Sequence, residues 1–163
     1  MTELPRRTVV AALLASAIPG FATAASAQTD PWDPLRRLRR IARPLVVFAP
    51  EAGDERLREQ RAAISAVYPD FAERDQVLIV VAGENGDVTG PPRLAAQVPE
   101  VLDPRAVAAL RKRFGVAGDE FAVILVGKDG GEKLRETEPL STEALFGTID
   151  AMPMRRREME RGG

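Results

Sequence analysis

Pro44-Leu45-Val46-Val47-Phe48-Ala49 is a continuous apolar run with two adjacent β-branched residues, closed by Pro50. Nothing polar alternates within it, so it reads as a strand covered on both faces. Val77-Leu78-Ile79-Val80-Val81 repeats the pattern and runs into turn residues at Gly83–Gly86. Between the two runs Asp54 can cap a helix whose buried stripe is Leu57, Ile64, Val67 and Tyr68, with Phe71 packing just past its end. A strand, a helix of about 15 residues and a second apolar strand make a βαβ unit with a right-handed crossover.

Residues 84–102 contain Gly90, Pro91, Pro92 and Pro99 and are expected to be the least regular part of the domain. Asp103-Pro104 then starts a helix as cap and first residue, with Val107, Leu110 and Phe114 inward and Gly115 ending it. Phe121 to Val126 is a third apolar strand. Asp129-Gly130 marks a tight turn, so Glu132 to Arg135 should return as a hairpin partner. Ser141 caps a last helix carrying Leu145, Phe146, Ile149 and Met152, which Pro153 breaks or kinks. The order β-α-β-α-β-β-α predicts an α/β three-layer sandwich of thioredoxin-like type. Its four-stranded mixed sheet should set Val46 and Ile79 on adjacent parallel strands.

The start of the chain carries a different signal. Arg6 and Arg7 precede the apolar run Val9 to Ala17, and Ala25-Ser26-Ala27 is a small-x-small site before Gln28. Residues 1–27 are therefore expected to be a cleavable signal, through the general or the twin-arginine route, placing the protein in the periplasm or outside the cell. The apolar run is too short to cross a membrane, and no transmembrane anchor is expected. The expected organisation is signal 1–27, connector 28–43, domain 44–153 and charged tail 154–163. In the connector, Leu35, Leu38 and Ile41 recur every third residue among Arg36, Arg37, Arg39 and Arg40. That spacing predicts a leucine edge laid on the domain beneath a solvated arginine face; the competing reading is a patch for anionic lipid or polyanion. Trp32 should pack the connector down. In the tail, Arg155 to Arg157 should pair with Glu158 and Glu160 along a solvated helix.

Composition removes whole classes of chemistry. The 163-residue chain has no cysteine and no histidine, so it lacks a thiolate nucleophile, an imidazole base and any Cys/His metal site. With 23 basic and 24 acidic residues it lacks the basic excess of a general nucleic-acid binder.

Four stretches carry a resemblance. They are Arg43 to Pro50, Leu110-x-x-Arg113-Phe114-Gly115-Val116, Lys128-Asp129-Gly130-Gly131 and Asp150-Ala151-Met152-Pro153-Met154-Arg155-Arg156. Together they resemble the domain-of-unknown-function family 4174, over roughly residues 34 to 159. The resemblance implies a bacterial exported domain with a thioredoxin- or peroxiredoxin-like fold and brings no catalytic residues.

In redox-active thioredoxin folds a Cys-x-x-Cys pair sits after the first strand, where the helix N-terminus lowers the thiol pKa. Pro50 to Arg56 stands there without sulfur, and Gly118-Asp119-Glu120 replaces the proline expected before the third strand. Thiol exchange and thiol peroxidase chemistry are excluded by composition. Glu51, Asp54 and Glu55 crowd a helix start and are read as complementing its dipole, not as metal ligands. No cofactor and no catalytic residue is assigned.

The expected function is a non-catalytic binding module for a protein or envelope component. Its surface should include Pro50, Asp54, Arg56, Arg113 and Asp119, and charge reversal of Arg56 with Arg113 should leave stability nearly unchanged. The alternative is a cysteine-independent enzyme using carboxylates or arginines on a small molecule. A pocket uniting carboxylates of raised pKa, or Arg113 with Arg135, would mark the enzyme.

Overall fold

A four-residue helix, α1 (Leu35–Leu38), leads into β1 (Arg43–Ala49), every residue of which is buried. The computed structural model describes residues 30–162, and the expected signal segment lies outside the described residues. Leu35 and Leu38 are buried as their spacing predicts, whereas Ile41 is 38 % exposed. The α1 helix has already ended at Leu38, so the three-residue repeat no longer carries Ile41 to the buried side. Trp32 also stays half exposed, with the Arg105 guanidinium 4.8 Å from its ring centroid.

The crossover helix is two helices, α2 (Glu55–Ala66) and α3 (Tyr68–Glu73). Pro69 lacks the N–H that a continuous helix would need there, and the chain breaks at Val67. Tyr68 consequently points outward, while Leu57, Ile64 and Phe71 remain buried. β2 (Gln76–Ala82) then runs parallel to β1, with Val46 directly opposite Ile79.

The expected four strands are five. β3 (Asn85–Thr89) pairs antiparallel with β2, and α4 (Pro92–Ala95) follows, so 84–102 is more regular than its prolines suggest. Gly83, at φ +60°, makes the reversal, and Gly86 lets Leu102 close over the strand: a Cβ there would lie 2.9 Å from Leu102 Cδ1. The Leu102 N–H donates to Gly86 O, and the Val88 N–H to Glu100 O, each at 2.9 Å.

The remaining elements follow their sequence signals. α5 (Pro104–Phe114) is capped by Asp103 and ends at Gly115 in the left-handed region. β4 (Ala122–Val126) and β5 (Glu132–Glu136) form the hairpin across Asp129-Gly130. Ser141 caps α6 (Thr142–Asp150), and Pro153 opens α7 (Pro153–Gly162).

The sheet order is β3-β2-β1-β4-β5, parallel only between β1 and β2. Strand alternation divides the core in two. Val46, Phe48, Ile79, Val81 and Ile124 pack with Leu38, Leu94, Val107 and Leu110 on one face. Leu45, Val47, Leu78, Val80 and Val123 pack with Leu57, Ile64, Phe71, Leu145 and Ile149 on the other. Each large aliphatic side chain so buried contributes about 1.5–3 kcal/mol, which places the polar helix faces outward.

α7 is not a free solvated helix. Arg155 is buried and donates to Glu73 (2.5 and 2.6 Å) and Asp150 (3.3 Å) instead of pairing within its own helix. Among the described residues no helix is long and apolar enough to cross a membrane.

Candidate functional site

The end of the sheet where β1 and β2 finish carries most of the residues expected to form the working surface. Asp54, as cap of α2, accepts from the Arg56 N–H at 2.9 Å. The same carboxylate takes Arg56 Nε at 3.2 Å and Nη2 at 2.8 Å, and the guanidinium lies 4.6 Å over the Phe121 ring. Helix start, ion pair and strand start are thereby one unit. Pro50 sits half-buried at the end of β1, and Asp119 is exposed in the turn before Phe121. Beside it, Glu120 accepts from the Ala117 N–H at 2.7 Å.

Arg113 does not join this group. It is ion-paired with Asp33 and donates to Gly130 O at 2.6 Å, at the β4–β5 turn. Strand register puts that turn beside the start of β1, at the opposite end of the sheet.

The arginine that does reach the site is Arg111. Its guanidinium donates to Ala117 O (2.6 Å), Ala49 O (3.1 Å) and Gly83 O (3.3 Å), and lies 5.6 Å from the Phe48 ring centroid. It brackets the ends of β1 and β2 with a fork no shorter side chain could provide. Desolvation lowers its pKa, yet a guanidinium stays charged at neutral pH. The only signal in the sequence was its place on the flank of the Val107–Leu110–Phe114 stripe; two of its three acceptors, Ala49 O and Gly83 O, belong to distant segments.

A second cluster forms where β1 begins. Arg43 donates to Glu158 Oε1 and Oε2 at 3.1 and 3.0 Å, and Lys128 reaches Glu158 and Asp75, each at 2.7 Å. Arg74 binds Asp150 through Nε (3.1 Å) and Nη2 (2.8 Å). Residues from three of the stretches that carried the family resemblance thus meet in one network holding α7. Gln76, opposite Arg43 in the strand register, is fully buried, and neither its amide atoms nor Arg43 Nε has a hydrogen-bond partner among the described residues.

The carboxylates in these networks are committed. Hydrogen bonds from Arg56, Lys133, Arg135 and Arg74 hold Asp54, Asp129, Glu132 and Asp150 below the usual carboxylate range. For Asp75 and Glu158 burial pushes upward, and hydrogen bonds from Lys128, joined by Arg93 and Arg43 respectively, outweigh it. None of these six can donate a proton at neutral pH. Arg113 and Arg135 both come to Phe114, but each already holds its own carboxylate, Asp33 and Glu132. Among the described residues no group of three carboxylates is arranged to hold a metal ion. A groove of about 230 Å³ lies apart from both clusters, over Ile64, Phe71 and Leu78 between α2, α3 and β3. Near it, Arg61 is tied to Asp87 at 2.6 Å.

The family comparison agrees with the span over which the resemblance was read. The family model described as Domain of unknown function (DUF4174) matches residues 34–158, from the start of α1 to the Glu158 that closes the second cluster. The chain belongs to the DUF4174 family.

Proposed function

We propose that the protein is an exported, non-catalytic interaction module of thioredoxin-like type, which binds a protein or envelope component in the periplasm or outside the cell. The observation that carries this reading is the Asp54–Arg56 pair braced on Phe121. It occupies the helix start where a redox relative of that fold would keep its thiol. An arginine held against an aromatic ring, with its side chain 37 % exposed, suits a contact residue. The Asp54 carboxylate is held by the arginine and keeps no proton to donate at neutral pH. The parallel β1–β2 pair, the β4–β5 hairpin and helices on both faces support the thioredoxin-like reading, with β3 as an added edge strand. Arg113 drops out of the proposed surface, which comprises Pro50, Asp54, Arg56 and Asp119. Export rests on the pattern of residues 1–27.

A photo-crosslinking residue at position 119, introduced into the protein in its own host, tests the proposal. A discrete adduct in the envelope fraction, lost on Arg56→Glu, is the expected result. An adduct from position 68 beside the groove, with none from 119, would move the surface. Turnover of a small molecule abolished by Asp54→Asn would replace the binding module with the enzyme.

A further inference from the structure

We infer that α1 and its flanks form a surface patch that binds anionic lipid headgroups, separate from the Asp54–Arg56 edge. Leu35 and Leu38 are 1 % and 0 % exposed and fix α1 to the body. Arg36, Arg37, Arg39 and Arg40 are consequently exposed together. The backbone holds them there: Arg40 adopts φ +71° and its N–H donates to Lys128 O at 2.7 Å. Of the acidic residues beside them, Asp33 is buried and consumed by Arg113, and the Asp129 carboxylate is paired with Lys133 at 2.6 Å.

Most arginines that brace the fold are already paired. Arg43, Arg56, Arg61, Arg74, Arg113 and Arg155 all have carboxylate partners. Among the described residues Arg36, Arg37, Arg40 and Arg105 have none within ion-pair distance. Arg39 donates only to a carbonyl, Asp129 O, at 3.1 Å. Unpaired arginines carry their full charge to whatever approaches.

Apolar side chains decide what that is. Trp32, 47 % exposed, precedes the arginines in the chain and Ile41, 38 % exposed, follows them. Guanidinium groups bracketed by an indole and an aliphatic side chain match the two layers of a lipid interface, phosphate above and acyl boundary below. A nucleic acid would use the arginines but offers Ile41 nothing. The chain's net charge of −1 supplies no general attraction to polyanions.

Trp32 is the only tryptophan, so its fluorescence reads this patch alone. The full chain is titrated with phosphatidylglycerol/phosphatidylethanolamine vesicles and, separately, with phosphatidylcholine vesicles. A blue shift with the first and not the second is expected. The Arg36→Gln, Arg37→Gln, Arg40→Gln triple variant should bind the anionic vesicles about a hundredfold more weakly at low salt, since each arginine at an anionic surface strengthens binding about fivefold. Residues 1–29 are common to both chains, so the difference reports the patch. The same change at Arg156, Arg157 and Arg161 should leave binding unaltered. Equal partition of the triple variant at an unchanged melting temperature would overturn the inference. So would an unshifted Trp32, or an equal response to a DNA duplex. None of these outcomes bears on crosslinking from position 119.

Discussion

The Arg43 guanidinium grips the Glu158 carboxylate through both oxygens, joining the first residue of β1 to the last helix across 115 positions of sequence. Arg43 is 1 % exposed, and Lys128 stands against the same carboxylate. Removing one partner of a buried pair strands the other, at a cost of about 3 kcal/mol. Glu158→Gln should lower the denaturation free energy by that order. Arg43→Met combined with Glu158→Gln should cost less than the two single changes summed. Strict additivity in chemical denaturation would show that the pair is not coupled.

The pH dependence follows from the carboxylates. Asp54, Asp75, Asp150 and Glu158 lie below their ordinary values when folded. The stability they contribute is therefore present above the unfolded values near pH 4 and is lost as pH falls through the folded ones. The chain has no histidine and no cysteine to titrate between. The melting temperature should be flat from about pH 8 to about pH 5 and should fall below about pH 4. A step near pH 6.5 in thermal melts would contradict this account.

Arg111→Lys should destabilise the fold by about 2 kcal/mol, because one ammonium cannot span the carbonyls of Ala49, Gly83 and Ala117. Amide exchange should accelerate first at Gly83, whose N–H bonds Ala49 O at 3.1 Å. Wild-type stability in this variant would show the bracket to be dispensable.

Arg56 and Arg113 should separate under charge reversal. Arg56→Glu breaks a partly exposed pair and should leave the melting temperature nearly unchanged. Arg113→Glu sets a carboxylate against Asp33, whose side chain is 4 % exposed, and should cost about 3 kcal/mol or more. The double variant is therefore expected to melt below the wild type, with the loss coming from Arg113. Equal thermal shifts for the two single variants would contradict the placement described above.

The central sheet was legible because Val46 and Ile79 lie in runs that need cover on both faces, which inner strands between two helical layers provide. The caps at Asp54, Asp103 and Ser141 announced their helices for an equally local reason. β3 was hidden because Asn85-Gly86-Asp87-Val88-Thr89 is polar and brief, and gains its strand conformation from β2 and Leu102. Pro69 did signal the break at Val67, and the apolar stripe masked it. The site was legible where its contacts are local, as between Asp54 and Arg56. Arg111 and the Arg43–Glu158 pair were hidden because their partners are brought near only by the completed sheet.

The seven residues of β1 span about 20 Å. The segment leading into β1 and the helix ending the described chain both gather at its first residue, tied by Arg40 to Lys128 O and by Arg43 to Glu158. Asp54, Arg56 and Phe121 stand at the far end. The molecule therefore has a handle and a tip. Whatever grips the handle, an immobilising tag or a lipid surface at the arginines, turns the tip away from itself and leaves it free to be met.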